Sequence, residues 1–366
     1  MSSNRPTRRG FLKGQTPLRE MPADDSVLFV PSSADSAPSP LAAARGRLLA
    51  SVRRRAMACD WEVQLSAIRD DDSMEHVFAA LDLVESLESQ LTVYRAESEV
   101  MDINRKAAAG PVAVEPRLFK LFQMARTLHA ETRGAIDITS GPLSETWGFS
   151  RREGRLPSEA EIAAARELVG MELVDIDDKH SSVAFRRPGV SVDFNSIGKG
   201  YSLDRMAELL AMNCVDDYLL HGGRSSVLAS GNQPGHGDGW TVGLRHPLRP
   251  AERLAEFVLR DQSLSTSGSG TQFFIRRGRR YGHILDPRTG RPAEGLFSAT
   301  VIAPTAAEAD ALSTAFYVMG PDGVEDYCDR HPEIGALLVA PGEREGDVRL
   351  FAFGMNDDQW QPLSNG

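Results

Sequence analysis

Apolar positions recur every three or four residues through Met74, Val77, Phe78, Leu81, Val84, Leu87 and Leu91. That period predicts a long amphipathic helix with one buried face. Leu118, Leu121, Phe122, Ala125 and Leu128 predict a second helix, and Leu203, Met206 and Leu210 a third, opening after Gly200. Ala306 to Met319 predicts a fourth, followed by a shorter one over about 323–328. The charged, alanine-rich stretch 150–170 predicts a surface helical insertion starting near Pro157-Ser158. Leu41, Leu48, Leu49 and Val52, ahead of Arg53-Arg54-Arg55, predict a lead-in helix over 41–56. Partial alternation from Trp61 to Ile68 predicts a strand, as do short apolar runs at 190–194, 218–220, 226–229, 337–339 and 348–353. Strands dominate from Trp240 to about Ile302, with breaks at Pro247, Gly268, Gly278 and Pro287. Helices and hairpin-like strands mix without repeating βα units, which selects an α+β class over a doubly wound sheet.

The chain has 366 residues, 41% of them hydrophobic, which is ample for a sizeable core. Forty-one basic against 51 acidic residues leave a net charge of −10, the wrong sign for a general nucleic-acid binder. No apolar run approaches the length of a transmembrane segment. Three scattered cysteines argue against a disulfide framework. Residues 1–40 hold six prolines and seven serines without helical or strand period, and are expected to form a disordered extension. Within it, Thr7-Arg8-Arg9-Gly10-Phe11-Leu12-Lys13 looks like a twin-arginine export signal that lacks the apolar segment such signals need. As written, the chain therefore reads as cytoplasmic, with export to the periplasm as the alternative. The expected organisation is this extension, the lead-in helix, one catalytic domain over 57–352 and a C-terminal tail over 353–366.

Three segments carry candidate chemistry. Asp193 to Tyr201 runs from a strand into a glycine turn, Gly198-Lys199-Gly200, that opens a helix. Amides at such a start can bind phosphate, and Lys199 adds a charge, although glycine turns of this kind also serve structure alone. In the helix after Thr305, Asp310 and Thr314 lie four apart on one face. A carboxylate and a hydroxyl there suit a hard cation such as Mg²⁺. The same spacing also suits an Asp near a helix start with a Thr bonding back to its carbonyl. His283-Ile284-Leu285-Asp286-Pro287-Arg288-Thr289-Gly290 joins a strand end to a turn, and His283 is of the right type for a base near neutrality. Walker A, Gly-x-Gly-x-x-Gly and His-Glu-x-x-His spacings are absent.

The order of these pieces resembles the ApbE family. The resemblance rests on Leu91-Thr92-Val93-Tyr94-Arg95, Gly134 to Thr139 with Trp147-Gly148-Phe149, Asp193 to Tyr201 with Asp204, Gly222-Gly223, Ser265 to Gly268, His283 to Gly290, and Ala309 to Ala315. It implies an ApbE-like (T-fold-like) architecture of mostly antiparallel sheets and packed helices. It also implies a Mg²⁺-dependent enzyme that moves FMN from FAD to a Thr or Ser hydroxyl of a target flavoprotein, releasing AMP. By position, Met57, Tyr94, Ala135, Ile136, Asp137, Asn195, Lys199, Tyr201 and Leu285 would contact FAD. Gly198 (through its carbonyl), Asp310, Thr314 and Ser313 would hold the metal, and His283 would be the base. Two departures stand out: Arg224-Ser225-Ser226 follows the glycine pair where the family has a polar or acidic residue and an apolar one, and Asn195 replaces a commoner Gly. The competing outcomes are an FAD pyrophosphatase and a flavin-binding protein with little turnover. Having Asp310, Thr314 and His283 together favours chemistry over storage.

Overall fold

The computed structural model describes residues 29–31, 49–66, 71–235, 237–270, 272–344 and 346–363. Its centre is an eight-stranded sheet whose order in space is its order along the chain: Ala50–Ala56, Cys59–Leu65, Tyr218–Gly222, Ser226–Ser230, Ser263–Gly268, Ser298–Ala303, Gly335–Pro341 and Val348–Phe353. Every neighbouring pair is antiparallel. The fold class is α+β, as the pattern predicts.

Both faces of this sheet are covered, and its inner strands read as continuous apolar runs for that reason. In Gly335–Pro341, Ala336 and Leu338 face the helices while Leu337 and Val339 face a second sheet. The helical layer consists mainly of Asp71–Leu91, Gly198–Met212 and Ala306–Arg330. The second sheet is formed by Phe29–Pro31, Trp240–Arg245, Arg253–Leu259 and Trp360–Pro362. Trp240, Val242 and Phe257 fill the space between the two sheets.

Local signals explain the helix ends. Ser158 and Glu161 form a reciprocal capping box at the start of Glu159–Arg166, in the insertion expected near Pro157-Ser158. The last long helix is two helices joined at Gly320, whose φ of 71° only glycine adopts readily, with Pro321 opening the second. At its start, Thr305 accepts from the Glu308 amide, but the Ala306 and Ala307 amides donate to Asp204 of the neighbouring helix at 2.7 and 2.8 Å. One helix therefore caps the other.

The structure departs from the sequence expectations in four places. The part of the expected 41–56 helix that is described is a strand, Ala50–Ala56, which alternates half-buried and exposed residues and pairs with Cys59–Leu65. Its arginines project from a hairpin rather than ending a helix. Of the extension 1–40, residues 29–31 form a strand against Val242 to Leu244, and the rest, with the twin-arginine-like motif, lies outside the described residues. The expected tail begins inside the strand Val348–Phe353 and adds Trp360–Pro362 to the second sheet. Among the described residues, 190–194 join no ladder: the Asn104 side chain accepts from the Val192 N–H at 2.8 Å and donates to its carbonyl at 2.9 Å, and the Asp193 N–H donates to the Ile138 carbonyl at 2.7 Å. An amide side chain and one backbone carbonyl satisfy groups that a partner strand would otherwise take.

Candidate active site

Met57, Tyr94, Ala135, Ile136, Asp137, Asn195, Lys199, His283, Leu285, Asp310 and Thr314 all line one cleft of about 760 Å³. That volume falls in the usual range for small-molecule and cofactor sites. The other three candidates lie outside the lining. Tyr201 packs into the largest core cluster, and Ser313 is fully buried. Gly198 opens its helix, and its carbonyl accepts from the Ser202 hydroxyl at 2.8 Å.

Asp310 organises the floor. Lys199 Nζ donates to both its carboxylate oxygens, at 3.2 and 3.4 Å. The Gly200 amide donates to Oδ2 at 3.1 Å, and the Ser226 and Ser265 hydroxyls donate to Oδ1 at 3.0 Å each. Ser226 and Ser265 are cross-strand partners in register, so the sheet aims both hydroxyls at one carboxylate. Burial alone would pull the Lys199 ammonium down, but the Asp310 charge, the Cys59 thiol and the hydrogen bond to Asp310 together outweigh it and hold the pKa above the ordinary lysine value. The two helices that carry Lys199 and Asp310 touch through Gly200, where a Cβ would stand 2.0 Å from the Ala306 carbonyl oxygen. Only glycine permits that approach.

One turn along, Thr314 Oγ1 lies 3.0 Å from the Ser267 hydroxyl and 3.5 Å from the Asp310 carbonyl. Ser313 donates to the same carbonyl at 2.9 Å. The back-bonding expected of helical Ser and Thr is thus present, while Thr314 also reaches the cleft. Among the described residues no group of three or more His, Cys, Asp or Glu could hold a metal.

His283 sits across the cleft. Its backbone N–H and its Nδ1 both donate to the Gln272 carbonyl at 3.1 Å. A carbonyl only accepts, so Nδ1 carries the hydrogen and Nε2 keeps a lone pair. Burial, reinforced by the Lys199 charge and opposed by the Gln272 carbonyl, pushes its pKa below the ordinary histidine value. The imidazole is therefore neutral at pH 7 and free to accept a proton.

The remaining walls are held by local devices. Met57 and Ala58 occupy a two-residue hairpin turn at φ 49° and 58°, a left-handed geometry uncommon for such residues. Asp137 is fixed by the Thr139 amide and hydroxyl and lies 3.2 Å from His129 Nδ1. Asn195 donates its amide and side-chain N–H groups to Asp193, whose burial raises it to about 6. Tyr94 is 69% exposed at the rim.

The motif stretches included Ser265 to Gly268 and Asp204 but gave no role to the strand serines or to Asp204 as a helix cap, and sequence reading missed the cleft-lining Gln272, Arg151 and Arg152. Ser225 and Ser226 belong to the departure after the glycine pair: one lines the cleft, the other holds Asp310. Arg224 takes a left-handed turn position with φ 56°.

A neutral histidine facing a cation–carboxylate pair across one cleft is the site of an enzyme. Residues 57–338 match the model of the ApbE family, and the chain belongs to that family. The FAD:protein FMN transferase of Escherichia coli (strain K12) is 31% identical over 302 residues, covering 80% of this chain and 84% of that protein. A protein of the same name from Klebsiella pneumoniae (strain 342) is 35% identical over 263 residues, covering 70% and 79%. The apo crystal structure of Pseudomonas stutzeri flavinyl transferase ApbE superposes with a TM-score of 0.73 at 29% identity, covering 84% of this chain and 98% of that one. The flavin transferase ApbE from Vibrio cholerae gives 0.72 at 25% identity, with the same coverages.

Proposed function

We propose that this protein is an FAD:protein FMN transferase that uses Mg²⁺ and a Ser or Thr hydroxyl of a target flavoprotein as acceptor, releasing AMP. The observation that carries the proposal is the shared cleft: a neutral His283 whose Nδ1 is held by the Gln272 carbonyl and whose Nε2 has no hydrogen-bond partner among the described residues, and Lys199 with Asp310 at a helix start. The relatives' common name supports the same reaction.

In this reading the diphosphate lies against Lys199 at the start of the helix Gly198–Met212, where the ammonium and the helix dipole favour negative charge, while the Gly198 and Gly200 amides donate to the Phe194 carbonyl and Asp310. The acceptor oxygen bonds to the phosphorus on the FMN side. The bond to the bridging oxygen breaks, and that oxygen leaves with AMP. His283 Nε2 takes the hydroxyl proton and later returns it to water. Asp193, Asn195 and Asp137 shape the walls around the dinucleotide.

The donor set fits one kind of metal. A single carboxylate, hydroxyls and backbone carbonyls cannot cage a soft or strongly chelated ion. They suit a hard cation that keeps most of its shell for water and phosphate. Asp310, Thr314 and the Gly198 carbonyl would hold it, with Ser313 behind them, and when bound it neutralises the diphosphate and the departing charge. It would share Asp310 with Lys199.

The test is incubation with FAD, Mg²⁺ and a panel of Ser/Thr-bearing flavoprotein domains. Covalent flavin fluorescence on one domain together with free AMP supports the proposal. AMP plus free FMN with no labelled domain identifies a pyrophosphatase, and tight FAD binding without AMP identifies a flavin carrier.

A further inference from the structure

Between Gln272 and His283, both in the cleft wall, the chain makes a hairpin of Phe273–Arg276 and Arg279–Gly282. Its sequence, Phe-Phe-Ile-Arg-Arg-Gly-Arg-Arg-Tyr-Gly, holds four arginines and no acid in a chain of net charge −10. One face is anchored. Phe274 stacks on Tyr281 at 5.1 Å and meets Phe149 at 5.5 Å, and Tyr281 lies 5.8 Å from Trp147. The other face is open: Phe273 and Ile275 are exposed, Ile275 by 61%, and the Arg280 guanidinium lies 3.8 Å above the Phe273 ring. Among the described residues the two strands pair only with each other, so each keeps a free edge.

Arg279 is paired with Glu294 at 2.7 Å. Arg276 and Arg277 form no ion pair among the described residues, and neither do Arg151 and Arg152 in the adjoining turn. That turn joins the hairpin through Phe149, whose carbonyl accepts from the Gln272 side chain at 3.0 Å. The hairpin and the turn it touches thus carry Arg276, Arg277, Arg151 and Arg152. Arg276 and Arg277 do not line the cleft, so the phosphates of a bound dinucleotide do not account for them.

We propose that this hairpin, with the 149–152 turn, is the docking surface for the acceptor protein, and that the docked segment is extended and acidic. The proposal rests on the transferase reading, because the acceptor hydroxyl has to arrive at His283, at the foot of the hairpin. Free strand edges take an extended segment by adding a strand, exposed Phe273 and Ile275 give it apolar contact, and unpaired arginines select its charge. The same foot-of-hairpin position favours a protein over an anionic bilayer.

The probe is a short fluorescein-labelled peptide with Asp and Glu flanking one Thr, alongside its Asn/Gln counterpart. Fluorescence anisotropy on the full chain should show binding of the acidic peptide only, weakening as salt rises. Arg276→Glu with Arg277→Asn, Asn being suited to the left-handed turn at Arg277, should weaken binding about tenfold or more. Arg276→Lys with Arg277→Lys should keep it within about threefold. FAD binding, measured on the same samples, should not change. Equal binding by wild type and the charge-reversed variant, no peptide binding at all, or binding only to phosphatidylglycerol vesicles would overturn the proposal. Absent flavin transfer from wild type to every Ser/Thr-bearing flavoprotein domain would instead count against the transferase reading, leaving the peptide result to stand on its own.

Discussion

Asp310 is surrounded by four donor groups, one of them the Lys199 ammonium. Asp310→Asn removes the charge but nearly keeps the shape. The loss of charge-assisted bonds should lower unfolding free energy by about 1–3 kcal/mol in denaturant titrations. AMP release from FAD should fall about 10²-fold, the usual cost of removing one electrostatic contact to a transition state. Unchanged AMP release would remove Asp310 from the chemistry. His283 makes a separate claim. Its pKa lies below the ordinary value of about 6.5, so the neutral base persists through neutrality. Protonation occupies Nε2, so the transfer rate should stay flat from pH 7 upward and decline only on the acid side. An inflection above pH 7 in the pH–rate profile would contradict the assignment. His283→Ala should cut transfer about 10²–10⁴-fold while leaving FAD affinity nearly intact by calorimetry.

Two helices set the distance between Lys199 and Asp310, and Gly200 sets the distance between the helices. A methyl at this position meets the Ala306 carbonyl at 2.0 Å, and backbone cannot rotate away as a side chain can. Gly200→Ala should therefore destabilise the fold by about 1–3 kcal/mol and lower FAD turnover together. Gly110→Ala meets nothing within 4 Å and should stay within about 0.5 kcal/mol of wild type in the same thermal melts. The elements themselves were unevenly legible. The helices through Val77–Leu91 and Leu118–Leu128 announce themselves by period, and Gly320-Pro321 marks its own break. The Ala50–Ala56 strand does not, because its arginines mimic a helix end and its alternation shows only once Cys59–Leu65 lies beside it. Nothing in the sequence ties Ser226 or Ser265 to Asp310 either, although Ser265 opens a motif stretch. They meet Asp310 from 84 and 45 residues away, and only the sheet register joins them.

Over the whole molecule, the meander buries its middle strands between helices and a second sheet, while the basic hairpin stands on one anchored face. Hydrogen exchange should separate these regions. Amides of Ser263–Ser265 and Ser298–Ile302, paired on both sides, should exchange only near global unfolding, and those of Phe273–Arg276 far sooner. Equal protection of hairpin and central strands would contradict this ranking. The same architecture explains why the family was legible when parts of the topology were not: the motifs sit at strand ends and helix starts around one cleft. The edge strands Phe29–Pro31 and Trp360–Pro362 are short, and long-range pairing defines them. The most direct test of the site is a crystal structure with FAD and Mg²⁺ bound. The expected result places a diphosphate oxygen within hydrogen-bond reach of Lys199 Nζ, about 3 Å, with the cation between Asp310 and the phosphates and His283 Nε2 facing the FMN-side phosphorus. A dinucleotide seated elsewhere, or one with its diphosphate turned away from the Gly198–Gly200 turn, would contradict it.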